Sequence, residues 1–301
     1  MTTRSLWLEL TPRCNLDCAF CYNPWRPGTK AEHPERVSDE ELRVAIDRLL
    51  RCADFSYVAL SGGEPLLYPQ LASLTGWLDD RGARTVLTTN GRLMTRRRLD
   101  ELRDNGLDAV QVSLLGSTPE LHDGLAGRQS WKQAVTALVL ALDAGADVAA
   151  TFIATRSNLD DLPRTVELLG RLGVRQMVVN ELQPVGSARV NLGALAVDSE
   201  RFDEVLAEAM PVAERWDVTI FPVLAHGRGP RSEAIWGRWS LSPDGKLKLC
   251  NHSTKTLGRV ASWPQGRFKS FAADLQAGRL GPFRDAVDNC QCFTAALTHA
   301  S

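Results

Sequence analysis

Short apolar runs alternate with longer segments of helical spacing through the first 182 residues of this 301-residue chain. The runs fall at 6–10, 57–61, 85–89, 109–113, 148–153 and 176–180, each of strand length and most of them rich in Val, Leu, Ile or Thr. Between them apolar residues return once per helical turn, as at Leu42, Ile46, Leu49 and Leu50. Polar start signals such as Ser38-Asp-Glu-Glu and Asn158-Leu-Asp-Asp precede two of these helices. Strand and helix in alternation imply right-handed crossovers and a parallel sheet. Six units are fewer than a closed eight-stranded barrel needs. The expected fold is therefore α/β, a partial (β/α)6 TIM-like barrel whose gap admits substrate.

The pattern changes beyond residue 195. A helix is expected over 198–216 and a strand over 218–223, followed by a loop rich in Gly, Arg and Pro. Residues 238–250 then alternate apolar and polar positions around Pro243-Asp244-Gly245, the signature of a β-hairpin. This gives a barrel core at 1–195, a connecting helix and strand at 196–230, and a small C-terminal hairpin-plus-helix auxiliary domain at 231–301.

Composition narrows the class. Hydrophobic residues at 44%, charged residues at 24% and a formal charge of −1 describe a globular protein without the basic field that nucleic acid favours. The first residues lack the apolar stretch of a signal peptide, and no run approaches the ~20 apolar residues that span a bilayer. A cytoplasmic protein with no membrane or nucleic-acid partner is expected. Seven unevenly spaced cysteines in a reducing compartment point to metal or redox chemistry rather than disulfides. Cys52 is the exception, since it continues an apolar helix stripe and reads as a small core residue.

Cys14, Cys18 and Cys21 stand in a C-x3-C-x2-C loop directly after the first strand. Three thiolates from so short a segment can hold three corners of a four-iron cube and leave the fourth iron open. Zinc sites usually bring four ligands in two pairs, and no fourth ligand lies nearby in the sequence. In a parallel α/β sheet, function gathers at the C-terminal strand edges. Ser61-Gly62-Gly63-Glu64-Pro65 occupies that edge after the second strand. Its glycines permit close backbone approach to a ligand, and Glu64 offers a carboxylate to a cation. Asn90 and Ser113 stand in equivalent positions at the third and fourth strands and can supply hydrogen bonds.

These residues resemble the signature of the radical S-adenosylmethionine (SAM) superfamily over about residues 5 to 186. C-x3-C-x-aromatic-C is matched with Phe20 as the aromatic, and Gly62-Gly63-Glu64-Pro65 matches the motif that binds the methionine part of SAM. The resemblance implies a [4Fe-4S] cluster on Cys14, Cys18 and Cys21, with its open iron chelated by SAM. It implies Glu64 and adjacent backbone at the amino group, Phe20 against adenine, and Asn90 and Ser113 at the carboxylate or ribose. Reductive cleavage of SAM would give a 5′-deoxyadenosyl radical that takes a hydrogen atom from substrate. No catalytic side chain is assigned. The protein's task is to hold one C–H bond in place and exclude solvent.

Cys250, Cys290 and Cys292 lie beyond the barrel. The turn Ser242-Pro-Asp-Gly-Lys before Cys250 resembles the superfamily's auxiliary-cluster extensions, the SPASM and twitch domains. No cysteine precedes this hairpin and the terminal pair is C-x-C, so two auxiliary clusters are excluded and one with three cysteine ligands is expected. An open iron is the favoured fourth position, with His252 as the other choice. Zinc binding or a cap without metal are the alternatives.

An auxiliary cluster suits a net oxidation or a bond-forming step. The expected substrate is a ribosomally made peptide, with small-molecule natural-product dehydrogenation or epimerisation as the rival and a non-catalytic electron carrier or regulator as the reading from another class. A flavodoxin- or ferredoxin-type donor and a separate peptide-recognition protein are the expected partners. Arg96, Arg97 and Arg98 read as a solvated helix face rather than an anionic leader site. His122 and Asp123 fit either proton transfer or a loop cap. Trp236 and Trp239 either pack the lost ligand position or line a pocket.

Overall fold

A computed structural model describes residues 4–23, 25, 34–224, 238–250 and 255–276. Cys290, Cys292, His252 and Trp236 lie outside the described residues.

Seven parallel strands run in sequence order, β1 (Ser5–Glu9), β2 (Tyr57–Ser61), β3 (Thr85–Thr89), β4 (Ala109–Ser113), β5 (Asp147–Ala154), β6 (Gln176–Glu181) and β7 (Thr219–Val223). Helices α1 (Asp39–Cys52), α2 (Leu71–Asp79) and α3 (Arg96–Asp104) fill the first three crossovers, and α4 (Pro119–Ala126) with α5 (Trp131–Asp143) fills the fourth. The fifth holds α6 (Leu162–Leu172). The sixth holds the short α7 (Ser187–Val190) and α8 (Leu192–Leu195), then the long α9 (Ser199–Trp216).

Strand alternation sorts the side chains. Leu6, Leu8, Val58, Leu60, Val110, Val112, Ala150, Phe152, Met177 and Val179 face the helices and are buried. Trp7, Tyr57, Thr88, Gln111, Thr151 and Asn180 take the other parity and line the lumen. The helices follow their start signals unevenly. Ser38 accepts from the Glu41 amide and caps α1, as its sequence implies. Asn158 does not cap α6, which starts at Leu162. Its side chain turns inward, donating to the Leu115 and Ile153 carbonyls and accepting from the Thr155 amide, so it joins the ends of β4 and β5.

Residues 218–223 appear in sequence as a connecting strand, and in the structure β7 joins the sheet beside β6. The expected hairpin forms as β8 (Arg238–Leu241) and β9 (Leu247–Lys248), with Gly245 at φ +74° in its turn. Its placement is the new information. β8 pairs in parallel with β1, so the hairpin extends the barrel sheet to the order β7-β6-β5-β4-β3-β2-β1-β8-β9. Trp239 is fully buried between Phe55 and Phe271, the latter on α10 (Gln265–Gln276). It is a core residue and not a pocket wall.

An ion pair latches the hairpin to the barrel. Lys248 Nζ donates to Glu9 Oε1 at 2.6 Å, and Ser240 Oγ donates to the same oxygen at 2.8 Å. Both charges are buried, so their worth lies chiefly in each cancelling the other's desolvation. Removing one partner leaves an uncompensated charge. Lys248→Met is expected to lower unfolding free energy by about 3–5 kcal/mol, and Glu9→Gln added to it should recover a large part. Denaturant titration of the two variants checks both statements.

Candidate active site

The cysteine loop is shaped by backbone hydrogen bonds from three directions. From the barrel, the Gly63 amide donates to the Thr11 carbonyl at 2.7 Å, the Glu64 amide to Arg13 at 2.8 Å, and Leu10 to Ser61 at 2.9 Å. From the end of α4, the Ala126 and Leu125 carbonyls accept from Asp17 and Ala19 at 3.1 Å each. From the two ends of α7, the Ser187 amide donates to the Cys21 carbonyl at 2.8 Å, and Asn191 Nδ2 donates to the Ala19 carbonyl at 2.9 Å. Arg128 adds an ion pair to Asp17 at 2.7 Å on the outer face.

The two glycines are required by this docking. Gly62 has φ +123°, and a Cβ there would stand 2.8 Å from the Thr11 carbonyl oxygen. A Cβ on Gly63 would overlap the Arg13 carbonyl outright. Close backbone approach is thus made to the cysteine loop itself. Asn23 seals the contact by donating from Nδ2 to the Gly62 carbonyl at 3.0 Å.

Glu64 is fully buried and its carboxylate is occupied. Oε1 accepts from Thr89 Oγ1 at 2.7 Å and the Leu66 amide at 3.1 Å, while Oε2 accepts from the Asn90 amide at 2.9 Å. Burial pushes its pKa up, and the three donors from Thr89, Asn90 and Leu66 pull against that rise. The side chain therefore ties the β2 loop to the β3 loop. Neither it nor Pro65 forms part of the cavity wall. Asn90 is set in turn by this contact. Its Nδ2 donates to Asn15 Oδ1 at 2.8 Å and lies 3.9 Å from the Cys14 sulfur.

Cys14, Cys18, Cys21, Phe20, Gly62, Gly63, Asn90 and Ser113 all border one cavity of about 280 Å³ that continues down the barrel lumen. All three thiols are partly exposed to it. Among the described residues no three His, Cys, Asp or Glu side chains converge on a point that could hold a single metal ion. A four-iron cube spreads its thiolates over separate corners, so it needs three sulfurs around one cavity rather than one point. The donor set fits such a cube.

His122 also borders the cavity and is buried. Its Nδ1 accepts from the Leu115 amide at 3.1 Å and its Nε2 lies 3.1 Å from Ser130 Oγ, which fixes the neutral Nε2–H tautomer. Asp123 Oδ1 accepts from the Ser130 and Trp131 amides at 2.8 Å each and caps α5. The pair is therefore a loop cap. Cys52 is buried, with Sγ 3.2 Å from the Leu49 carbonyl, and burial pushes its thiol up to about 11. It is inert.

Cys250 does not border that cavity and is buried against Val185 and Tyr22. That contact brings the hairpin's cysteine next to the residue that follows Cys21. Arg96 and Arg97 on α3 face solvent, and Arg96 pairs with Asp100 and Asp143. Sequence reasoning missed Asn15, Asn23 and Ser187, whose roles are set by distant backbone groups and carry no local pattern. It also missed Arg238, considered below.

Fold and site together define an α/β partial-barrel enzyme with its chemistry at the C-terminal strand edge. Residues 8–169 match the Radical SAM superfamily. The PqqA peptide cyclase of Ruegeria pomeroyi is 34% identical over 269 residues, covering 84% of this chain and 68% of that protein. The chain belongs to the radical SAM superfamily, whose members use a [4Fe-4S] cluster and SAM. Among solved structures, Streptococcus suis SuiB bound to its precursor peptide SuiA aligns with TM-score 0.72 at 14% identity, covering 94% of this chain and 68% of that one. The anSMEcpe structure with bound SAM aligns with TM-score 0.65 at 16% identity, covering 88% and 77%. At such identities the likeness is one of fold.

Two outcomes follow from this geometry. Gly63→Ala is expected to displace the cysteine loop and abolish cluster loading, read as iron per chain after anaerobic reconstitution, whereas Gly193→Ala, which meets nothing within 4 Å, retains about four irons or more. Burial lowers the His122 pKa from 6.5 to about 4 despite the nearby Asp123. Its contribution to stability is therefore complete above 6.5 and is lost as pH falls toward 4. In His122→Gln, apoprotein stability should fall less steeply across that window.

Proposed function

We propose that this enzyme matures a ribosomally made peptide by removing a hydrogen atom from an unactivated carbon. The observation that carries the proposal is the sharing of one cavity by three thiols and the polar lumen of the barrel. The relatives named PqqA peptide cyclase and the SuiB–SuiA complex support a peptide over a small molecule.

On this reading Cys14, Cys18 and Cys21 hold the cluster, and SAM lies along Phe20, the Gly62–Gly63 backbone and Ser113. Glu64 acts through the loops it joins rather than as a direct ligand to the amino group. When bound, the reduced cluster and SAM supply a 5′-deoxyadenosyl radical as hydrogen-atom acceptor. The chain's own residues keep the acceptor and the substrate C–H bond in register and shield them from water. Asn90, donating toward the Cys14 sulfur, favours thiolate character there.

Residues 231–301 carry the second cluster in this proposal, with Cys250, Cys290 and Cys292 as its ligands. The burial of Cys250 against Tyr22 supports a short path between the two clusters. Electrons arrive from a flavodoxin- or ferredoxin-type donor, and a separate protein presents the peptide. The reducing chemistry supports a cytoplasmic location in this proposal. Among the described residues no helix is long and apolar enough to cross a membrane.

Anaerobic reconstitution with dithionite and SAM, incubated in parallel with candidate precursor peptides and with small-molecule natural products, tests the reading. Mass spectrometry should find 5′-deoxyadenosine together with a covalent change in the peptide. With the cluster verified, absence of 5′-deoxyadenosine removes the enzymatic proposal. An unchanged peptide beside a changed small molecule removes its peptide part.

A further inference from the structure

Below the cysteine loop, the lumen is mostly neutral. Gln111 and Thr151 hydrogen-bond to each other across adjacent strands, and Asn180 faces them from β6. Glu9 is neutralised by Lys248, and His122 is held as the uncharged tautomer. Glu181 sits on the cavity wall with Oε1 accepting from Ser199 Oγ at 2.8 Å. One cation remains. Arg238, the first residue of β8, borders the same cavity half-buried, and among the described residues its guanidinium has neither an ion pair nor a hydrogen bond.

Its position follows from strand register. Arg238 stands beside Ser5 at the start of β1, while the cysteine loop leaves from the end of that strand. Four residues of strand place its backbone ~13 Å below the loop. Tyr57, in register with the same Ser5, borders the cavity at this level. No hydrogen bond to the Tyr57 hydroxyl is found among the described residues. An unpaired guanidinium beside the Tyr57 side chain on the wall of a lumen is a receptor for a planar anion, since its fork of donors matches two carboxylate oxygens.

We infer that the floor of the barrel is a carboxylate-binding subsite, in which Arg238 anchors an acidic group of the substrate and so determines which residue enters. The inference rests on the peptide reading for its occupant and not for its chemistry. The carboxylate belongs either to an Asp or Glu side chain or to a peptide C-terminus. Anchoring it at the floor leaves the carbons attached to it extended toward the cluster end, where a C–H bond is needed.

Three probes separate the sources. N-acetylglutamate α-amide carries only a side-chain carboxylate, N-acetylglutamine only a terminal one, and N-acetylglutamine amide neither. Each is titrated calorimetrically into the cluster-loaded enzyme saturated with SAM, so that the carboxylate of SAM does not compete. The expected result is at least about tenfold tighter binding of one charged probe than of the neutral one, lost in Arg238→Gln and partly restored in Arg238→Lys. Equal binding of all three probes, binding by none, or selectivity unchanged in Arg238→Gln overturns the inference. Where Arg238→Gln does not fold, Arg238→Lys carries the comparison, and absence of selectivity in the wild-type enzyme overturns the inference by itself. Because the readout is binding, it is independent of peptide turnover. An enzyme that modifies no peptide but selects a charged probe loses the peptide proposal and keeps this subsite, and the reverse pattern does the opposite.

Discussion

The site depends on one backbone-to-backbone contact, the seating of the 11–13 segment on the Gly62–Gly63 turn. Two amides of that turn donate into the loop that carries the thiols, and no side chain fits between them. Each such bond contributes only about 1 kcal/mol net, but leaving its buried groups unpaired costs more. The loop is therefore held by the sum of contacts that must form together. Glu64 passes the constraint to β3 through Thr89 and Asn90, and Asn90 returns it to Cys14 through Asn15. Thiol, turn and neighbouring strand make one closed circuit of hydrogen bonds.

Much of the fold was legible in the sequence. Three of the six barrel strands have the bounds that apolar periodicity gives, and the others differ by a residue or so at either end. Short apolar runs between turn residues leave little room for another register. The cysteine spacing and the paired glycines also marked the mouth of the barrel, since both follow strand ends directly. What a single sequence could not show is which distant groups meet. The inward turn of Asn158 looks like a helix start, because Asn before an acidic run has the same composition in both roles. Glu64 stands in the sequence simply as an available carboxylate, and only the structure shows the three protein donors that reach it from Thr89, Leu66 and Asn90.

The hairpin illustrates the same limit at larger scale. Its turn and alternation are local and were readable. Its pairing with β1 joins Ser240 to Glu9 across 231 positions, and nothing in either segment names the other. Burial of the Glu9–Lys248 pair then turns a generic edge into a specific one, because only a cation placed at that height neutralises the carboxylate. Trp239 adds apolar area on the opposite side of the strand, packed by Phe55 and Phe271. The barrel edge is thus held by charge on its inner face and by aromatic packing on its outer one.

The parallel union of β8 with β1 sets the order of events at birth. β1 leaves the ribosome well before β8, so its outer edge and the charge on Glu9 stay uncovered until residues 238–248 have emerged. The nascent chain therefore carries its thiol loop on an unfinished strand while the residues between β1 and β8 are made, and so long-range a closure is slow by nature. Loading with iron and sulfur belongs after that closure, once β8 and β9 have locked β1.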